Sequence, residues 1–131
     1  MMRFLFAVLS LCVSAGMASA EFSLRFDGWG DIPFCNNGNP KSVPNPEFFL
    51  TDIPAGTTTV QFYFKNVNVP AANRGASKRL PVPADGRFPA GTFNYRGPCP
   101  VSGTNTYEWK ATARAGNRIS GNAKARRKYP E

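Results

Sequence analysis

Few residues in this sequence could do chemistry, and most of them cluster around Tyr95 to Thr112, Y-R-G-P-C-P-V-S-G-T-N-T-Y-E-W-K-A-T. Cys99 is bracketed by Pro98 and Pro100, after Gly97 and before the second turn Ser102-Gly103. Such a rigid loop either staples the fold or fixes side chains at a sheet edge, where binding sites often lie. Beyond the N-terminal Cys12, the only other cysteine is Cys35. An even pair in an oxidising compartment reads as one disulfide. Closing so long a loop stabilises by roughly 4 kcal/mol in the chain-entropy model. Asn66 and Asn68 lie one residue apart at a strand end and so share a face. They suit a pocket rim, and equally suit amides that satisfy loop backbone groups.

The residue types also exclude chemistry. There is no histidine. That removes histidine-ligated metals, the usual triad and the commonest general base. No serine or threonine sits in an activating motif. Asp31, Asp52 and Asp85 fall in turns, where capping is the ordinary role, and Glu108 falls on the outer face of its strand. The reading is a non-enzyme with no catalytic residue, no metal and no cofactor.

These groups must be positioned by strands. Tyr107, Trp109, Ala111 and Ala113 alternate with Thr106, Glu108, Lys110 and Thr112, the period of a half-buried strand. Val60, Phe62 and Phe64 alternate with Gln61, Tyr63 and Lys65. Aromatics on both faces predict a central, well-covered strand. Phe22, Leu24 and Phe26 mark a first strand, Glu47 to Thr51 a short one and Thr92 to Tyr95 another. Arg118 to Ala125 reads as a last strand, joined to its predecessor by a hairpin at Gly116-Asn117. Residues 71–91 read as a long loop with at most a short strand near Arg79 to Val82. No segment after the leader has a helical period. Short strands between Gly/Pro turns predict an all-β antiparallel sandwich or barrel.

The chain has 131 residues and a formal net charge of +8. Met1-Met2-Arg3, the apolar run Phe4 to Val13 and Ala18-Ser19-Ala20 read as a signal peptide over 1–20, cleaved after Ala20. Residues 21–131 form one domain. Nothing later in the chain is apolar enough to span a membrane. The expected location is periplasmic or secreted. A basic exported protein favours anionic partners such as lipid headgroups or acidic glycans, or its charge serves solubility alone; nucleic acid is the weaker candidate given export. Lys124, Arg126, Arg127 and Lys128 read as a solvated tail or a contact for an anionic surface.

Gly97-Pro98-Cys99-Pro100-x-x-Gly103-x-x-x-Tyr107 resembles the G-P-x-P-x-x-G-x-H-R-Y signature of the phosphatidylethanolamine-binding protein family, and in particular its short secreted bacterial members. Cys35-Asn36-Asn37-Gly38, Asn45-Pro46-Glu47-Phe48 and Ile53-Pro54-Ala55-Gly56-Thr57 are similar, in order, to C-D-G, S-P-P-L and V-P-x-G-T of those members. Asn66 to Pro70 sits where the family has D-P-x-A-P. The resemblance implies a reduced β-sandwich with a small anion-binding pocket at one end. The departures fall in that pocket. Asn66 stands for the family's acidic residue, and Asn105 and Thr106 for the histidine and arginine of G-x-H-R-Y. The central W-x-H-W segment is not found, and Asn73-Arg74-Gly75 is its nearest remnant. The implied site is Asn66, Asn68, Arg74, Pro98, Asn105 and Tyr107, built from neutral amides that do not titrate near neutral pH. Arg74 is either its charge, bidentate on a phosphate or carboxylate, or one more solvated cation. The expected function is a non-enzymatic exported binding protein for a small anionic or polar ligand such as a phospholipid headgroup. The alternative is a protein-interaction or inhibitor module with a protein partner and no working pocket.

Overall fold

The computed structural model describes residues 20–70 and 77–131. Arg74 and residues 1–19 of the expected leader lie outside the described residues. The described chain is all-β and antiparallel, with no α-helix. Its strands are β1 (Ser23–Arg25), β2 (Val43–Pro44), β3 (Phe48–Thr51), β4 (Thr59–Asn66), β5 (Ser77–Pro81), β6 (Arg87–Phe88), β7 (Asn94–Tyr95), β8 (Asn105–Ala115) and β9 (Arg118–Tyr129). A four-stranded sheet runs β5-β4-β8-β9. Against its inner face lie a three-stranded sheet, β1-β3-β6, and the pair β2-β7.

The period-two patterns decide which side chains meet. Val60, Phe62 and Phe64 of β4 are buried, as are Tyr107, Trp109, Ala111 and Ala113 of β8. The opposite layer meets them ring on ring. Phe48 of β3 stacks on Phe62 at 4.6 Å, and Tyr95 of β7 sits edge-on to Trp109 at 4.8 Å. Burying each such side chain stabilises by about 1.5–3 kcal/mol. Trp29, in the turn-rich exit from β1, packs edge-on against Phe26, Phe64, Tyr107 and Tyr129. Its Nε1 donates to the Lys128 carbonyl at 2.8 Å and so locks the chain's start to its end.

Three details depart from the sequence reading. β9 continues through the basic run to Tyr129 rather than ending at Ala125. Ala123, Ala125 and Tyr129 face the core while Lys124, Arg126 and Lys128 face out, so the run is strand and not a frayed tail. The 77–91 part of the expected long loop holds β5 and β6, because Leu80 packs on the core and Phe88 is buried in it. Tyr63, expected to be covered by a further layer, is covered instead by Lys110, whose ammonium lies 4.7 Å from the ring centroid.

Tyr95 Oη and Trp109 Nε1 are buried without a hydrogen-bond partner among the described residues. Burial, reinforced by the nearby Tyr129, pushes the Tyr95 phenol pKa well above its usual value. Tyr95→Phe removes an unpaired oxygen and keeps the ring. Stability at neutral pH should hold or rise by about 1 kcal/mol. Above about pH 10 the unfolded tyrosine ionises while the folded one keeps its proton, so native stability falls by up to about 1.4 kcal/mol per pH unit. The variant should lose that part of the alkaline sensitivity. Melting curves near pH 7 and pH 10.5 check this; a variant that melts lower at both would show that Oη has a partner.

Candidate functional site

The site forms where β4 ends and β8 begins. Cys35 and Cys99 are bonded there, with their Cα atoms 5.2 Å apart. The cross-link joins two loops. One is a tight reversal at Asn36 and Asn39, whose backbones exchange N–H···O bonds of 2.9 and 3.0 Å. Its central residues, Asn37 and Gly38, both have positive φ, which is why Asn-Gly stands there. The other is the Gly97 to Gly103 loop. Its Cys99 N–H donates to the Tyr107 hydroxyl at 3.1 Å, so the first core residue of β8 props the loop. Burial raises the Tyr107 pKa, partly offset by that N–H and by the side chain of Asn105. The phenol therefore keeps its proton at physiological pH.

Between the two loops is a cavity of about 430 Å³. Asn36, Asn37, Asn66, Ser102 and Tyr107 supply polar lining, and Phe34 and Val101 supply apolar lining. Arg96 is the one charged side chain among the described lining residues, and no carboxylate lines it. An adjoining hollow of about 150 Å³ is lined by Asn66, Asn105, Val69 and Ser102, among others. The contrast with the hairpin end of the sheet is chemical. A wider hollow there, about 590 Å³, is lined by Glu21 and Asp52 and by no cation among the described residues.

The residues singled out from sequence divide by role. Asn66 and Tyr107 line the cavity, and Asn105 lines the hollow beside it. Asn66 Oδ1 accepts from the N–H groups of Asn68 and Val69, both at 3.0 Å. Its remaining hydrogen-bonding end is therefore the donor Nδ2. Asn68 is spent on the backbone: its Oδ1 accepts from Thr106 N–H at 2.6 Å, clamping β8 to the β4 exit. Pro98 is buried in the loop and lines neither cavity. Arg74 lies outside the described residues. Sequence reasoning missed Arg96, although it directly precedes the Gly97-Pro98-Cys99-Pro100 run. No pattern of spacing marks it; only the fold of the two loops turns it into cavity lining.

The geometry defines a class: an all-β protein with a disulfide-framed cavity, rich in hydrogen-bonding groups and carrying positive charge. Among the described residues no cluster of three or more His, Cys, Asp or Glu could hold a metal ion, and no helix is long and apolar enough to cross a membrane. No protein-family model, curated protein or solved structure matches the chain.

Proposed function

We propose that the chain is a non-enzymatic exported binding protein whose disulfide-framed cavity takes a small phosphate-bearing ligand such as a lipid headgroup. The observation that carries this reading is the charge of the lining: among the described lining residues one guanidinium, Arg96, stands among neutral donors with no carboxylate. A guanidinium fits a phosphate or carboxylate in two parallel bonds, and amides and hydroxyls add neutral donors. The order of motifs resembling the phosphatidylethanolamine-binding family gives independent support. Arg74, expected from sequence to supply the charge, lies outside the described residues. The disulfide and the leader-like N-terminus support export.

Titration with phosphoethanolamine and with inorganic phosphate at low salt tests the reading. A ligand at a hundred times its Kd should stabilise by about 2.7 kcal/mol. That corresponds to a melting shift of about 10 °C for a domain of this size. Arg96→Ala should abolish the shift without lowering the ligand-free melting temperature, because Arg96 is exposed. An Arg96→Ala protein that binds as tightly as the parent removes the reading.

A second reading rests on a different feature of the same end. Phe34 and Val101 are 68% and 100% exposed at the cavity rim, and Val69 is 45% exposed beside it. Exposed apolar groups gathered at one end suit a protein partner. A partner-dependent loss of phosphate binding, reversed by Val101→Ser, would favour an interaction module.

A further inference from the structure

The outward face of the four-stranded sheet is a separate surface. Register places its side chains in rows. Lys65 of β4, Glu108 of β8 and Arg126 of β9 form one row. Tyr63, Lys110 and Lys124 form the next. Gln61, Thr112 and Asn122 follow, with Arg79 of β5 beside Gln61. Arg114 and Lys128 extend the face at its two ends. The face carries these seven cations against a single carboxylate, Glu108, and the chain's net charge is only +8. Most of the net charge is thus on one sheet face.

Folding alone does not ask for this arrangement. Like charges directly opposite on neighbouring strands destabilise a sheet, yet Lys110 and Lys124 are paired. Glu108 is 2% exposed and is bridged by Lys65 at 3.6 Å and by Arg126 at 2.9 Å. It pins two cations in place and is itself screened from any approaching anion. Cations at alternate positions of β9 recur about every 6.7 Å along the strand. The row beside the two cationic rows carries the amides Gln61 and Asn122, which can meet sugar hydroxyls.

We propose that this face binds a linear acidic polysaccharide laid along β9 and flanked by the cations of β8 and β4. Three observations select that partner. A single-stranded nucleic acid would need open aromatic platforms for its bases, and the aromatic of this face, Tyr63, already has its ring covered by Lys110. Insertion into a bilayer would need apolar side chains; of the exposed large apolar residues only Ile119 belongs to these four strands, at the hairpin end, so a membrane would be held by charge alone. The disulfide fits an oxidising compartment, where nucleic acid is the weaker candidate polyanion. This surface is independent of the Arg96 cavity.

The test is titration of the protein with polygalacturonate, with neutral dextran, an oligothymidylate and anionic phosphatidylglycerol vesicles as parallel arms. Polygalacturonate should bind, dextran should not, and log affinity should fall with log salt with a slope of about −3, by counterion release. Lys110→Gln/Lys124→Gln/Lys128→Gln, which leaves the Glu108 bridges intact, should lose at least tenfold in polysaccharide affinity. It should keep its response to inorganic phosphate and melt only slightly below the parent, because Lys110 also covers the Tyr63 ring. If the triple variant folds poorly, Lys124→Gln alone, at an exposed position, should lose about threefold. Unchanged affinity in both variants, equal binding of dextran, or tighter binding of the oligothymidylate or the vesicles would each overturn the proposal.

Discussion

Replacing Cys35 and Cys99 with serine should lower the melting temperature by about 15 °C and abolish the proposed phosphate binding in the same variant. The bond spans 64 positions of sequence. Opening such a loop costs roughly 4 kcal/mol in the chain-entropy model, and a domain of this size loses about 4 °C per kcal/mol. The local consequence is as large. The Asn36–Asn39 reversal and the Gly97 to Gly103 loop form the two walls of the cavity. The described contact between Tyr107 and Cys99 fixes one wall only. Dithiothreitol applied to the parent protein should reproduce both effects. A reduced protein that melts lower yet binds phosphate undiminished would mean that Asn66 and Tyr107 hold the cavity without the cross-link.

The alternation along β4 and β8 made the core legible. Phe62, Phe64, Tyr107 and Trp109 lie inside because apolar residues at every second position leave a strand one way to face the core. The basic run after Lys124 hid the same alternation. Its inward positions are Ala123, Ala125, Arg127 and Tyr129; the alanines are too small and the arginine too polar to register as a hydrophobic face, yet the small residues let β9 lie beside β8 over a crowd of aromatic rings. Glu108 shows a second limit. Its outward position follows from parity, but its burial follows from Lys65 and Arg126 on two other strands. Neither cation is adjacent to it in sequence.

The site was legible in outline. Two cysteines, a Pro/Gly loop and an asparagine at a strand end locate it, because each is a residue type with a narrow structural use. Individual roles were not legible. Asn66 and Asn68 have the same type and the same parity, yet one lines the cavity and the other clamps a backbone. The difference depends on where Thr106 arrives, which only the pairing of β4 with β8 determines. Arg96 differs from the other arginines only in being next to a loop whose path is fixed by a disulfide.

Asn45→Ala should destabilise the fold by about 3 kcal/mol, although the residue lines neither the cavity nor the hollow beside it. Asn45 is 1% exposed. Its Oδ1 accepts from Phe93 N–H at 2.8 Å and its Nδ2 donates to the Pro89 carbonyl at 3.2 Å. Its backbone N–H donates to the Phe93 carbonyl at 2.9 Å, and its carbonyl accepts from Gly91 at 3.1 Å. One side chain thus ties the link between β2 and β3 to the turn between β6 and β7. Nδ2 also donates to the Pro46 carbonyl at 2.7 Å. Alanine keeps the backbone bonds and the Thr92 contacts to the Pro89 carbonyl, but it takes the side-chain partner from the Phe93 N–H and the Pro46 carbonyl, at about 1–3 kcal/mol each. Asn45→Asp separates this account from simple loss of volume. The ionised carboxylate can accept from Phe93 but cannot donate to Pro89, and it carries a buried charge. Its folded pKa should lie above that of an unfolded aspartate. Its stability should then be greatest at low pH, where the protonated acid donates, and should fall as pH rises through that folded value. Melting curves of the two variants between about pH 3 and pH 7 read this directly. An aspartate variant that shows the alanine variant's pH dependence would show that Asn45 serves the fold by filling space.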